Sequence, residues 1–169
     1  MSESPVGQAP SSVSRAGAAA QTAGVVAPPP LIYAVPLVAG LLLQQWHAFP
    51  IVSSGPTTVL GILLVLSGLV GAPAITAFRR ASTSPKPWVP STALVTTGPY
   101  RFTRNPMYLG FTLMYLGVAV WANTLWPFLF LPLVLGAMHY GVIIREEAYM
   151  ASTFGAAYEE YRNRVRRWL

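Results

Sequence analysis

Two long stretches of this chain, residues 16–78 and 105–144, contain no Asp, Glu, Lys or Arg at all. A soluble fold spreads its charges over its surface, at about a quarter of all residues. Here only 9% of 169 residues are charged while 53% are hydrophobic, and mean hydropathy is +0.48. The solvent for most of the chain is therefore lipid. There every backbone polar group must find an internal partner, and helices meet that demand within a single segment.

Turn residues divide the two stretches into four spans. Residues 47–56 hold polar residues, two prolines and a glycine, and separate a span at 31–46 from one at 57–78. The first is short for a hydrocarbon layer of about 30 Å, and Pro36 bends its early turns. Gly61, Ser67, Gly68 and Gly71 in the second allow close approach of another helix. Residues 121–124 form a compact turn between a third span, 106–121, and a fourth, 125–144. Asn105 caps the third, with Pro106 at the favoured first helical position.

The expected class is thus all-α: a polytopic membrane protein of about four transmembrane helices. A polar, proline-rich loop over 79–105 and a C-terminal interfacial helix complete it. Residues 1–30 read as a disordered Ala/Ser/Gly/Pro-rich tail and 31–169 as one membrane-embedded domain. The tail lacks the basic start and adjoining apolar core of a signal peptide. The 79–105 loop and the 145–169 tail carry ten of the eleven Lys and Arg, and Arg15 carries the last. By the positive-inside rule both termini and the long loop are cytoplasmic, and all charges share that side.

Composition also excludes chemistry. Without cysteine there is no disulfide, iron–sulfur cluster or thiol nucleophile. With only His47 and His139, a His/Cys metal site is not expected. The net charge of +6 is no nucleic-acid footprint, because the basic residues flank apolar spans.

Two polar segments meet at the charged face. One runs through Tyr100, Arg101, Arg104, Asn105, Pro106 and Tyr108, and the other is Arg145-Glu146-Glu147. The hairpin of the third and fourth spans makes them neighbours. Arginines beside the start of a helix suit an anion such as a carboxylate, and paired glutamates suit an ammonium or a ribose diol. Taken singly, such arginines also serve as topology signals, and the glutamates as solvated charges past a helix end. His139 is either a hydrogen-bonded structural histidine or, two turns ahead of Glu146 on one face, a pocket member. In the tail, Tyr158, Tyr161, Val165 and Trp168 form an aromatic and apolar helical stripe flanked by arginines. It is read as docking on the membrane surface or over the loop.

The run Gly98-Pro99-Tyr100-Arg101-Phe102-Thr103-Arg104-Asn105-Pro106-Met107-Tyr108-Leu109-Gly110 closely resembles the signature of the isoprenylcysteine carboxyl methyltransferase family. That family sits within a wider group of membrane methyltransferases that includes phospholipid methyltransferases. Arg145-Glu146-Glu147, Phe154-Gly155, Tyr158, Tyr161 and the Val165–Leu169 end extend the resemblance, which covers about 83–169. It implies S-adenosylmethionine as cofactor and a lipophilic or membrane-resident acceptor, with membrane lipids as surroundings. It implies a cofactor pocket of Tyr100, Arg101, Arg104, Asn105, Pro106, Tyr108, Glu146 and Glu147, with Arg104 and Glu146 carrying catalysis. On that reading Glu147→Gln weakens cofactor binding. Asn105 departs from the histidine of the prenylcysteine enzymes and cannot become cationic, so the substrate is less well specified than the family. A membrane reductase on a related scaffold and a non-enzymatic lipid-binding scaffold are the alternatives.

Overall fold

The computed structural model describes residues 22–53 and 55–169, and every regular element among them is helical. Of the tail expected over 1–30, residues 1–21 lie outside the described residues, while Pro29 and Pro30 belong to the first helix. Helix α1 is Pro29–Trp46, α2 is Thr57–Ser67 and α3 is Ala72–Arg80. A tight 3₁₀ turn, Gly68–Gly71, joins α2 to α3 into one run. The 79–105 loop contains a second 3₁₀ turn, Gly98–Arg101. Then come α4, Pro106–Trp121, and α5, Trp126–Met138. A π-helical turn at His139–Ile143 carries α5 into α6, Ile144–Phe154, and α7 is Ala156–Arg164. Gly155, at φ +52, breaks the chain between the last two helices.

The runs Thr57–Arg80 and Trp126–Phe154 are long and apolar enough to cross a membrane, and Pro106–Trp121 is a shorter apolar helix. A core helix of a soluble protein would be mostly covered by protein. Only 17% of the most apolar window of the first run is buried, and Leu60, Leu63, Leu66 and Leu69 are exposed. Apolar surface of that extent is what hydrocarbon covers.

Glycine sets the closest packing. On α2 and the turn that follows, Gly61, Gly68 and Gly71 face Gly110 and Gly117 of α4. A methyl group on Gly110 would come within 2.7 Å of the Gly68 carbonyl oxygen, and one on Gly117 within 2.9 Å of that of Gly61. The small residues of the second span therefore receive α4. Helix α1 lies against α5, where a methyl on Gly40 would reach Pro127 at 2.9 Å. Tyr33, Tyr115, Val134, Met138, Val142 and Ile143 are buried between α1, α4 and α5.

The uncharged turns meet at one end of the molecule. The Asn123 side chain accepts from the amides of Ile51 and Val52 at 3.1 and 3.2 Å and donates to the Val52 carbonyl at 2.9 Å. Trp126 Nε1 donates to the His47 carbonyl at 2.9 Å. At the opposite end, the chain ahead of α1 is tied to the charged segments. Ala23 N donates to Pro87 O, Val26 N to Gly141 O, and Arg145 to the Gly24 carbonyl.

Candidate functional site

The charged end encloses a cavity between the 79–105 loop, the start of α4, the start of α6 and helix α7. Tyr100, Arg104, Asn105, Tyr108, Glu146 and Glu147 all line it, so hairpin geometry does bring the two polar segments together. Phe78, Tyr149, Tyr158 and Tyr161 add aromatic walls. Two of the expected residues stand apart. Pro106 is buried behind the cavity as the first residue of α4, and Arg101 is exposed at the end of its 3₁₀ turn.

Each polar group has a distinct commitment. The Tyr108 hydroxyl donates to Glu146 Oε1 at 2.7 Å. Glu147 is held from two sides: Arg167 forks it, Nε to Oε1 at 2.9 Å and Nη2 to Oε2 at 2.8 Å, while Arg104 Nη1 lies 3.2 Å from Oε1. Arg104 Nη1 also donates to the Tyr158 hydroxyl at 3.3 Å. Arg104 Nε is buried and, among the described residues, has no hydrogen-bond partner. An orphaned buried donor of this kind is uncommon and calls for a partner such as a ligand or an ordered water.

The Asn105 side chain does not cap α4. Its Nδ2 instead donates to the Arg167 carbonyl at 2.9 Å, which Thr103 Oγ1 also reaches, at 3.1 Å. Arg104 N donates to the Arg166 carbonyl at 2.9 Å. The aromatic stripe of the tail is helical only to Arg164. Val165 is extended, and the chain end runs alongside Thr103–Asn105 rather than continuing on a surface. Tyr158 and Tyr161 are buried, and Tyr161 donates to the Tyr100 carbonyl at 2.9 Å. Burial raises the phenol pKa values of Tyr100, Tyr158 and Tyr161, so all three are neutral hydroxyls at physiological pH. The fork to Glu147 holds the Arg167 proton more tightly than usual.

His139 does not reach this cavity. The π turn adds one residue to a turn of helix, so the face carrying Glu146 no longer carries His139. His139 lines a separate apolar groove with Leu109, Thr112, Leu135, Tyr140 and Trp168. Arg167, Tyr149 and Tyr158 were not expected at the site. The tail stripe pointed to Tyr158, but nothing in the local pattern pairs Arg167 with a glutamate twenty residues earlier.

Part of the chain is similar to known proteins. Over 72 residues the chain is 40% identical to the protein-S-isoprenylcysteine O-methyltransferase of Schizosaccharomyces pombe, a match covering 43% of this chain and 30% of that enzyme. Over 63 residues it is 35% identical to an uncharacterized protein of Haemophilus influenzae, covering 37% of this chain and all of that protein. No solved structure gives a significant match. The phospholipid methyltransferase family matches over residues 56–157, from the start of α2 into α7. That stretch is more than half of the chain and contains Tyr100, Arg104, Tyr108, Glu146 and Glu147 of the cavity, and the chain belongs to the phospholipid methyltransferase family.

Proposed function

We propose that the chain is an integral membrane methyltransferase that uses S-adenosylmethionine and methylates a lipophilic, membrane-resident acceptor. A prenylcysteine-like carboxylate, a phospholipid amine and a small lipophilic acid fit that description. The observation that carries the reading is a cavity lined by both Glu146 and Arg104, whose buried Nε has no partner among the described residues. The cofactor has a carboxylate, an ammonium group and a purine. Arg104 Nε suits the first, the Glu146 oxygen not taken by Tyr108 suits the second or the ribose diol, and the aromatic walls suit the third.

When bound, the cofactor would supply a sulfonium methyl group for in-line attack by the acceptor nucleophile, the acceptor–carbon bond forming as the C–S bond breaks and its electron pair leaves on sulfur as a neutral thioether. The protein's contribution is positioning: Glu146 and Arg104 hold the two poles, and the Tyr108 hydroxyl fixes Glu146. Holding reactants at near-attack distance supplies about 7–11 kcal/mol in well-oriented systems. No residue is assigned as general base, and a carboxylate acceptor needs none. The apolar groove of Leu109, Leu135, His139 and Trp168 supports lateral entry of the acceptor between helices, while the cavity supports cofactor entry from the charged side.

Calorimetric titration of S-adenosylmethionine into detergent-purified protein tests the reading, with Glu146→Gln in parallel. The expected result is saturable binding that Glu146→Gln weakens about tenfold or more, the scale of a hydrogen bond to a charged group. Folded wild-type protein that takes up no cofactor would sink the proposal.

A further inference from the structure

Glu147 is the better hydrogen-bonded of the two glutamates, yet both of its oxygens are occupied by arginines of the protein itself. Arg167 takes Oε1 and Oε2 together, and Arg104 reaches Oε1 through Nη1 alone. An arginine beside an unshared carboxylate would normally form its own two-bond fork. Arg104 is beside a shared one, Glu147, and does not. The second oxygen that its fork would use is held by Arg167, and Arg104 Nε is left buried and unpartnered.

We infer that Arg167 is a positioning residue for the proposed cofactor site: by occupying Glu147 it keeps the Nε of Arg104 free to bind the ligand's carboxylate. The inference rests on the methyltransferase reading and assigns Glu147 an internal role, leaving Glu146 as the glutamate that meets the ligand. The chain end is anchored for this purpose independently of its side chain. Thr103 Oγ1 and Asn105 Nδ2 both donate to the Arg167 carbonyl, and Arg104 N donates to that of Arg166. The backbone thus delivers Arg167 to Glu147, and the planar guanidinium covers both oxygens. A lysine ammonium, a point donor, does not. Without Arg167, Arg104 closes its own fork on Glu147 and its orphaned donor is consumed.

The test compares two probes, S-adenosylmethionine and 5′-methylthioadenosine, which keeps the adenosine thioether but lacks the amino-acid end. Binding is measured calorimetrically for wild type, Arg167→Gln and Arg167→Lys, with unfolding midpoints in the same detergent. Arg167→Gln is expected to weaken S-adenosylmethionine about tenfold and leave 5′-methylthioadenosine within twofold. Arg167→Lys, which keeps the charge and the backbone anchor, is expected to follow the glutamine variant and serves in its place if that variant does not fold. The loss should also vanish in a Glu147→Gln background, where no fork is available to Arg104. Equal loss for both probes, no loss for either, or additivity with Glu147→Gln overturns the assignment. A wild-type protein that binds neither probe removes the methyltransferase reading and this inference with it, an outcome read in the wild-type arm alone.

Discussion

Tyr108 shows how much a single side chain is asked to do at the charged end. Its hydroxyl donates to Glu146 at 2.7 Å, while its carbonyl accepts from Tyr33 at 3.3 Å and from Thr112 at 2.9 Å. Tyr108→Phe removes only the first of these bonds. The expected outcome is a cofactor affinity lower by about 1.5–3 kcal/mol, the range for a hydrogen bond to a charged group, with the unfolding midpoint little changed because the backbone bonds persist. Calorimetry beside thermal unfolding separates the two effects. At this scale the sequence was informative where chemistry is local. Tyr100, Arg104, Asn105 and Tyr108 lie within a few residues of one another, and the hairpin that returns Glu146 to them follows from charge-free lengths alone. Arg167 was illegible because its significance depends on where an extended chain end happens to lie. Asn105 misled for the opposite reason: its position beside Pro106 reads as a cap, but its side chain is turned so that Nδ2 donates to the Arg167 carbonyl and no helix amide reaches its oxygen.

Helix pairing is governed by where side chains are missing. Five glycines along the contact of α2 and its following turn with α4 allow backbones to approach until a single methyl would meet a carbonyl. Gly117→Ala is expected to lower stability by about 1–3 kcal/mol, the usual cost of overpacking a tight contact, and to depress the unfolding midpoint in detergent. Gly136→Ala is the control, since a methyl there meets nothing within 4 Å and alanine is the better helix former. A control that falls as far as Gly117→Ala would show that the contact is not what the measurement reads. The small residues of the second span were visible in the sequence as an interface without a partner. The structure supplies α4. The π turn at His139–Ile143 was not visible, because an extra residue in one helical turn leaves no compositional trace. It is the reason that ideal helical spacing puts His139 and Glu146 on one face and the structure does not.

Across the whole molecule, polarity is segregated end to end. The turns latched by Asn123 and Trp126 carry no charge, whereas Arg104, Glu146, Glu147 and Arg167 cluster at the other end of the same helices. Four helical runs connect the two ends: α1, α2 with α3, α4, and α5 with α6. We propose that each crosses the bilayer, although α1 has 18 residues and α4 only 16, about 27 and 24 Å of helix. Short spans of that kind are accommodated by local thinning of the bilayer and by packing against longer neighbours, here the run Thr57–Arg80 beside α4. On that proposal, the positive-inside rule predicts that the cavity faces the cytoplasm. The chain contains no cysteine, so a single introduced one reports one position without interference. Ala122, exposed in the uncharged turn, and Ala157, exposed in α7, are the informative pair. In intact cells an impermeant maleimide is expected to label Ala122→Cys and to spare Ala157→Cys until the membrane is opened. The reverse pattern would invert the orientation, and labelling of both in intact cells would place the two ends on one side, requiring an even number of crossings between them instead of the one that α5 and α6 provide.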